Sequence, residues 1–124
     1  MRQIKFRAQD IASNKWLYGD LRHHKDDVCI FEQGGTKGEQ VKRDTVGQFT
    51  GLRDINGKDI YEGDILDVNY ADEESRLEVR FVRGVFAFLW DGDLDDEFPC
   101  NAPTHEWAKV VGNIYDDPKL LKRH

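Results

Sequence analysis

Cysteine, proline and methionine are scarce: two, three and one in 124 residues. Cys29 and Cys100 stand 71 positions apart, and no CxxC pair occurs. That excludes a zinc knuckle and a disulfide framework, and two free thiols in a reducing cytosol are expected. Long apolar runs are also missing. The longest, Val85 to Trp90, is far shorter than the roughly 20 residues a membrane helix needs. The N-terminal MRQIKFRAQD alternates charged with apolar residues and does not read as a signal peptide. Helical periodicity is thin, because no window of 11 residues places apolar side chains at i, i+3, i+4 and i+7. There is no internal repeat and no low-complexity tract. Net positive charge is absent: the formal charge is −6. Residues 1–62 carry 11 Lys and Arg against 10 Asp and Glu, and residues 63–124 carry 7 against 14. Such a chain repels phosphate backbones in general, which disfavours nucleic acid as a partner without excluding a local basic patch.

Fourteen aromatics are present, enough to seed a core, so disorder is not expected. A chain of this length makes one domain and buries about two thirds of its unfolded surface. The dominant period is two. Ile4, Phe6 and Ala8 alternate with Lys5, Arg7 and Gln9; Leu66, Val68 and Tyr70 with Asp67 and Asn69; Leu77, Val79 and Phe81 with Glu78 and Arg80. This is the pattern of half-buried antiparallel strands. Val28 to Phe31 and Val85 to Trp90 are continuous apolar runs, suited to strands covered on both faces. Ser13-Asn14, Gly34-Gly35, Ala71 to Ser75 and Arg83-Gly84 break the runs, and Arg83-Gly84 predicts a hairpin. At the tail, Asp117-Pro118 predicts a short helical turn. The fold class is therefore mainly β and antiparallel: a small SH3-like barrel from roughly Thr45 to Tyr115, an N-terminal β subunit, and a short C-terminal helical turn. One domain, 1–124, is expected, with a subdivision into 1–44 and 45–124 marked by the polar, Gly-rich stretch Gln33 to Thr45.

The stretch from Val46 to Leu66 holds four of the eleven glycines. Asn56-Gly57 predicts a type I′ turn. A phosphate loop would need GxxxxGK[ST] before a long helix. Here Asp59 follows Lys58, and Leu52 stands where the first glycine belongs. The glycines read as corners of the fold.

The candidates for chemistry have plain readings. His23-His24 lies between Arg22 and Lys25, and neighbours on a strand point to opposite faces, so the pair reads as a solvated loop and no metal ligand. Cys100 and His105-Glu106 lack an orienting third group and an oxyanion loop. Asp91 to Glu97 has five acids in seven residues, but the sixth and twelfth positions of a calcium loop would be Asp96 and Ala102. It reads as a solvated acidic loop. Arg83 to Phe88 fails the RNA-recognition strand pattern. Phe86, Phe88 and Trp90 share one strand face, which reads as core, with an interface that includes the core as the alternative. Arg2, Lys5, Arg7, Lys42 and Arg43 could form a basic patch.

Ile4 to Ala8, Val46 to Asp54, Asn56 to Lys58, Ile60 to Ile65, Val111 to Tyr115 and Pro118 to Leu121 resemble the YopX family of bacteriophages, prophages and their hosts. Gln9 departs from the aromatic common at its place. The resemblance implies a mostly β protein of phage origin, with no established activity and no catalytic residue to carry over. The expectation is a non-catalytic phage or prophage accessory protein in the host bacterial cytoplasm, binding a protein partner or itself. The alternative is a small nucleic-acid-binding β-barrel. No catalytic, cofactor-binding or metal residue is assigned, and no enzyme activity is expected.

Overall fold

The computed structural model describes residues 3–32, 35–70, 73–93, 97–99 and 104–121. They form antiparallel strands and three short 3-10 segments. No described helix is long and apolar enough to cross a membrane. Packing divides the chain into two units, Met1–Phe49 and Thr50–His124, with the division inside one strand.

In the first unit, β1 (Phe6–Gln9), β2 (Trp16–His24), β3 (Asp27–Phe31) and β4 (Gly38–Gln40) pair in the order β4-β3-β2-β1. The start of β5 (Gly47–Arg53) adds to β1, with Gln48 opposite Phe6. The predicted alternation holds in β3 but not in β1, where Arg7 and Gln9 on the nominally polar side are buried and Ile4 is 62% exposed. Ala8, Val28, Ile30 and Val41 are buried together, with Phe6, Leu17, Leu21 and Val46 packed against them. Their neighbours Arg22, His24, Asp27 and Cys29 lie on the opposite face, since Arg22 pairs with Cys29 and His24 with Asp27.

In the second unit, β6 (Asp59–Tyr61), β7 (Asp64–Tyr70), β8 (Glu73–Val82), β9 (Val85–Trp90), β10 (Glu97–Pro99) and β11 (Ala108–Asn113) follow the rest of β5. Five of them form a sheet in the order β10-β9-β8-β7-β11. One face carries Leu66, Val68, Leu77, Val79, Phe88 and Ala108, all buried with Ile60 in one cluster. Phe88 meets Trp107 edge-on, with ring centroids 5.7 Å apart. The opposite face is covered at its centre as well. Ile65, Glu78 and Leu89 form a cross-strand row in which each residue is at most 2% exposed. The 3-10 segment Pro118–Leu121 folds back here: the Arg76 guanidinium donates to the Leu120 carbonyl at 3.1 Å. Of the two continuous apolar runs, Val85 to Trp90 is covered on both faces only over Ala87 to Leu89, and Val28 to Phe31 buries Val28 and Ile30 on one face while Cys29 and Phe31 stay half-buried on the other.

The Arg83-Gly84 hairpin forms as expected, with φ of +49° and +86°. Two positive values are the signature of a type I′ turn. The Asn56-Gly57 corner differs from expectation. Gly57 has φ +80°, but Asn56 does not enter the left-handed region. The Gly57 amide donates to the Asp54 carbonyl at 2.9 Å, and the Asp54 amide to the Lys58 carbonyl at 2.8 Å. This is a three-residue loop, a type I turn closed by one left-handed residue. The reason is Asp54: its Oδ1 accepts the Asn56 amide at 2.9 Å, and such a side-chain turn keeps Asn56 right-handed. The tail turn is 3-10 over Pro118–Leu121. Asp117 does not cap it with its side chain, because Oδ2 accepts the Asn113 amide at 3.3 Å instead.

Phe88 is fully buried at the centre of the second unit's core. Phe88→Ala should cost about 3–5 kcal/mol, the usual penalty for deleting a buried ring. Urea unfolding of the two proteins checks this, read as a lowered midpoint at an unchanged slope.

Candidate functional site

The glycine-rich stretch offers the first test. The amides around Gly57 do cup an anion, and the anion is the protein's own. Asp54, 2% exposed, accepts the Asn56 and Lys58 amides on Oδ1 at 2.9 and 2.8 Å, and the Val110 amide on Oδ2 at 3.0 Å. Burial pushes its carboxyl upward, but the three amides and the Lys58 charge outweigh that and hold it below the usual carboxylate range. The corner is structural, and its cradle is filled.

A second buried carboxylate was hidden in the alternation. Glu78 sits on the nominally polar side of β8 yet is 2% exposed. Both Arg80 Nη2 and Nε reach its Oε2, at 2.6 and 2.7 Å. Desolvation raises its pKa, and the Arg80 hydrogen bond and charge offset only part of that. The residue pattern carried no sign of this, because the covering segment comes from the far end of the chain.

A recess of about 370 Å³ opens on the first unit, lined by Arg22, His23, His24, Cys29, Phe31 and Gly38. It gathers the ends of β2 and β3. His23 and His24 are exposed on the last residues of β2 and not in a loop. The Arg22 guanidinium lies 4.4 Å over the Phe31 ring. Phe31 in turn lies across Gly38, where an added Cβ would come within 2.3 Å of the ring. Glycine is required there so that the ring can lie flat on the neighbouring strand. Gln40 Nε2 donates to Asp27 Oδ1 at 3.0 Å.

Three members of the proposed basic patch have partners of their own. Lys5 lies over Phe49 at 4.8 Å, and Arg7, 5% exposed, over Trp16 at 4.7 Å. Arg43 donates to the Asp26 carbonyl. Arg2 lies outside the described residues, as do Cys100, Asp95 and Asp96. Asp91 and Gly92 form a turn with φ of +51° and +79°. His105 and Glu106 are an exposed pair 3.9 Å apart on the 3-10 segment Thr104–Glu106. Such a pair contributes little. Among the described residues no three His, Cys, Asp or Glu side chains gather as a metal site.

At the tip of the β8–β9 hairpin, Phe81 is 49% and Val85 57% exposed. The Phe81 and Phe86 rings meet edge to face at 5.1 Å. Phe88 belongs to the core and Phe86 and Trp90 are half-buried, so the aromatic face runs from interior to surface along one strand.

This mainly β, two-unit chain matches the family profile described as YopX protein over residues 5–122. The protein belongs to the YopX family. Its fold is similar to the crystal structure of protein EF1440 from Enterococcus faecalis, at TM-score 0.60 and 23% identity, covering 98% of this chain and 100% of that one. It is also similar to the X-ray structure of protein yopX from Bacillus subtilis, a structural-genomics target, at TM-score 0.61 and 21% identity, covering 100% and 99%. At these identities the likeness concerns the fold alone. No curated protein matches the chain.

Two predictions follow from the carboxylates. Asp54→Asn keeps Oδ1 but turns an NH2 toward the Val110 amide. It should cost about 2–3 kcal/mol in chemical denaturation, as expected for a lost charged acceptor and an unpaired buried donor. Glu78 contributes with the opposite sign to an ordinary carboxylate. Its folded pKa is raised above 4.5, so the stability it gives is full below that value and is lost as pH rises through the folded pKa. Melting curves across pH 4 to 8 should show this falling limb in the parent, and Glu78→Gln should remove it.

Proposed function

We propose that this YopX-family protein is a non-catalytic accessory module of phage or prophage origin, acting in the host bacterial cytoplasm by binding a protein partner or a second copy of itself. The observation that carries the reading is the β8–β9 hairpin tip. Phe81 on one face and Val85 on the other are large apolar side chains 49% and 57% exposed, and Phe86 braces Phe81 from the neighbouring strand. A braced aromatic presented on a rigid hairpin loses little side-chain entropy on docking, which favours association.

The finer architecture supports a module of this kind. We read the stretch from roughly Thr45 to Tyr115 as a small SH3-like barrel. In support, β7 to β10 run as a meander, β11 returns beside β7, and a 3-10 turn immediately precedes β11. The analogy concerns fold and carries no function by itself.

Light scattering across a concentration series tests the reading, with Phe81→Glu as the paired variant. The expected result is a dimer in the parent, or a protein from infected cells retained by the parent, with either lost in the variant. A parent that stays monomeric at high concentration and retains nothing that the variant does not also retain overturns it.

A further inference from the structure

We propose that the recess at the end of the β2–β3 hairpin binds a nucleotide, holding its phosphate on Arg22 and its base against the outer face of the same guanidinium. This site lies in the first unit and does not depend on the association surface above.

The recess has the size of a small-molecule site, at about 370 Å³. Its central group is an arginine stacked on an aromatic ring. Gly38 lets the Phe31 ring lie flat, and the ring carries the Arg22 guanidinium at 4.4 Å. Stacking leaves the donor edge of the guanidinium directed away from the ring, and no described carboxylate lies within ion-pair distance of Arg22. A planar cation with spare donors on its edge and one uncovered face suits a ligand that combines an anionic group with a flat ring. His24 lies on the same strand face two residues on, and His23 also lines the recess. Lys25 follows at the hairpin turn with φ +55°. The first unit, residues 1–49, carries nine Lys and Arg against seven Asp and Glu, whereas residues 50–124 carry nine against seventeen. The local charge therefore favours an anion although the whole chain is acidic. The acids on this face are Asp27, engaged by Gln40, and Asp20, the register partner of Phe31. Asp20 opposes the anion and supplies a control.

The experiment is an NMR titration of the full chain, at about 50 mM salt, with inorganic phosphate, AMP and a ten-residue oligothymidylate. Saturable AMP binding that shifts the Arg22 Nε and His24 ring signals, tighter than inorganic phosphate, is the expected result. Arg22→Gln, on an exposed strand face, should weaken AMP on the order of tenfold at an unchanged melting temperature, as for loss of a charge-assisted hydrogen bond. Asp20→Asn should tighten it. If the oligonucleotide binds more tightly than AMP and weakens steeply with salt, the nucleotide recognised belongs to a single strand. If AMP binds as well or better, it is free nucleotide. Phosphate binding as tightly as AMP, no saturation by any probe up to about 10 mM, or a folded Arg22→Gln protein with unchanged affinity overturns the proposal.

Discussion

One carboxylate ties the two ends of the second unit together. Asp54 takes two amides from its own hairpin and a third from Val110, 56 residues further along the chain. Beside it the Ile55 amide donates to the Ala108 carbonyl at 2.8 Å. Both contacts fall on the free side of β11, the edge strand of its sheet. An exposed edge is a template for unwanted pairing, and covering it with a hairpin removes that hazard. The same contacts hold β11 in register on β7 across the bulge between Val110 and Gly112. The charge belongs there because each amide around it would otherwise lie against protein without an acceptor.

The sheet that Asp54 anchors is closed from the other side by the chain's last described turn. Once Pro118–Leu121 lies over β8, the carboxylate of Glu78 can no longer face water. Arg80, still 37% exposed at its side chain, supplies the compensating charge from the rim. The pair is an arrangement in which desolvation exceeds the attraction, which is why the carboxyl is shifted upward and not down. The opposed shifts of Asp54 and Glu78 show what decides such cases. Three backbone amides converge on one acid, and a single half-wet guanidinium serves the other.

The alternation of Phe6, Ala8, Leu66, Val68, Leu77 and Val79 was enough to predict strands, their direction and their core-facing sides, because period two is a local property. The Arg83-Gly84 hairpin was legible for the same reason. Three features were not. Asn56 avoids positive φ because a side chain two residues earlier competes for its amide, an effect that dipeptide preference omits. Glu78 reads as solvated until a segment about 40 positions away covers it. The recess at Arg22 depends on register, which sets Arg22 beside Cys29 and Asp20 beside Phe31. Four basic or imidazole residues in a row, Arg22 to Lys25, were visible as a motif. What the row faces was not.

The two surfaces singled out here arise from one structural habit. A two-stranded hairpin end brings together side chains from two strands that are neighbours in space and only a few residues apart in the chain. At the β8–β9 end Phe81 and Phe86 meet on one face, Val85 lies on the other, and the result is an apolar tip. At the β2–β3 end they are Arg22, His24, Cys29 and Phe31, and the result is a cationic recess. In both cases an aromatic ring braces the group that meets solvent: Phe86 braces Phe81, and Phe31 braces Arg22. Bracing lowers the entropy lost on binding without adding any contact to the ligand. Both proposed surfaces therefore lie where strands turn.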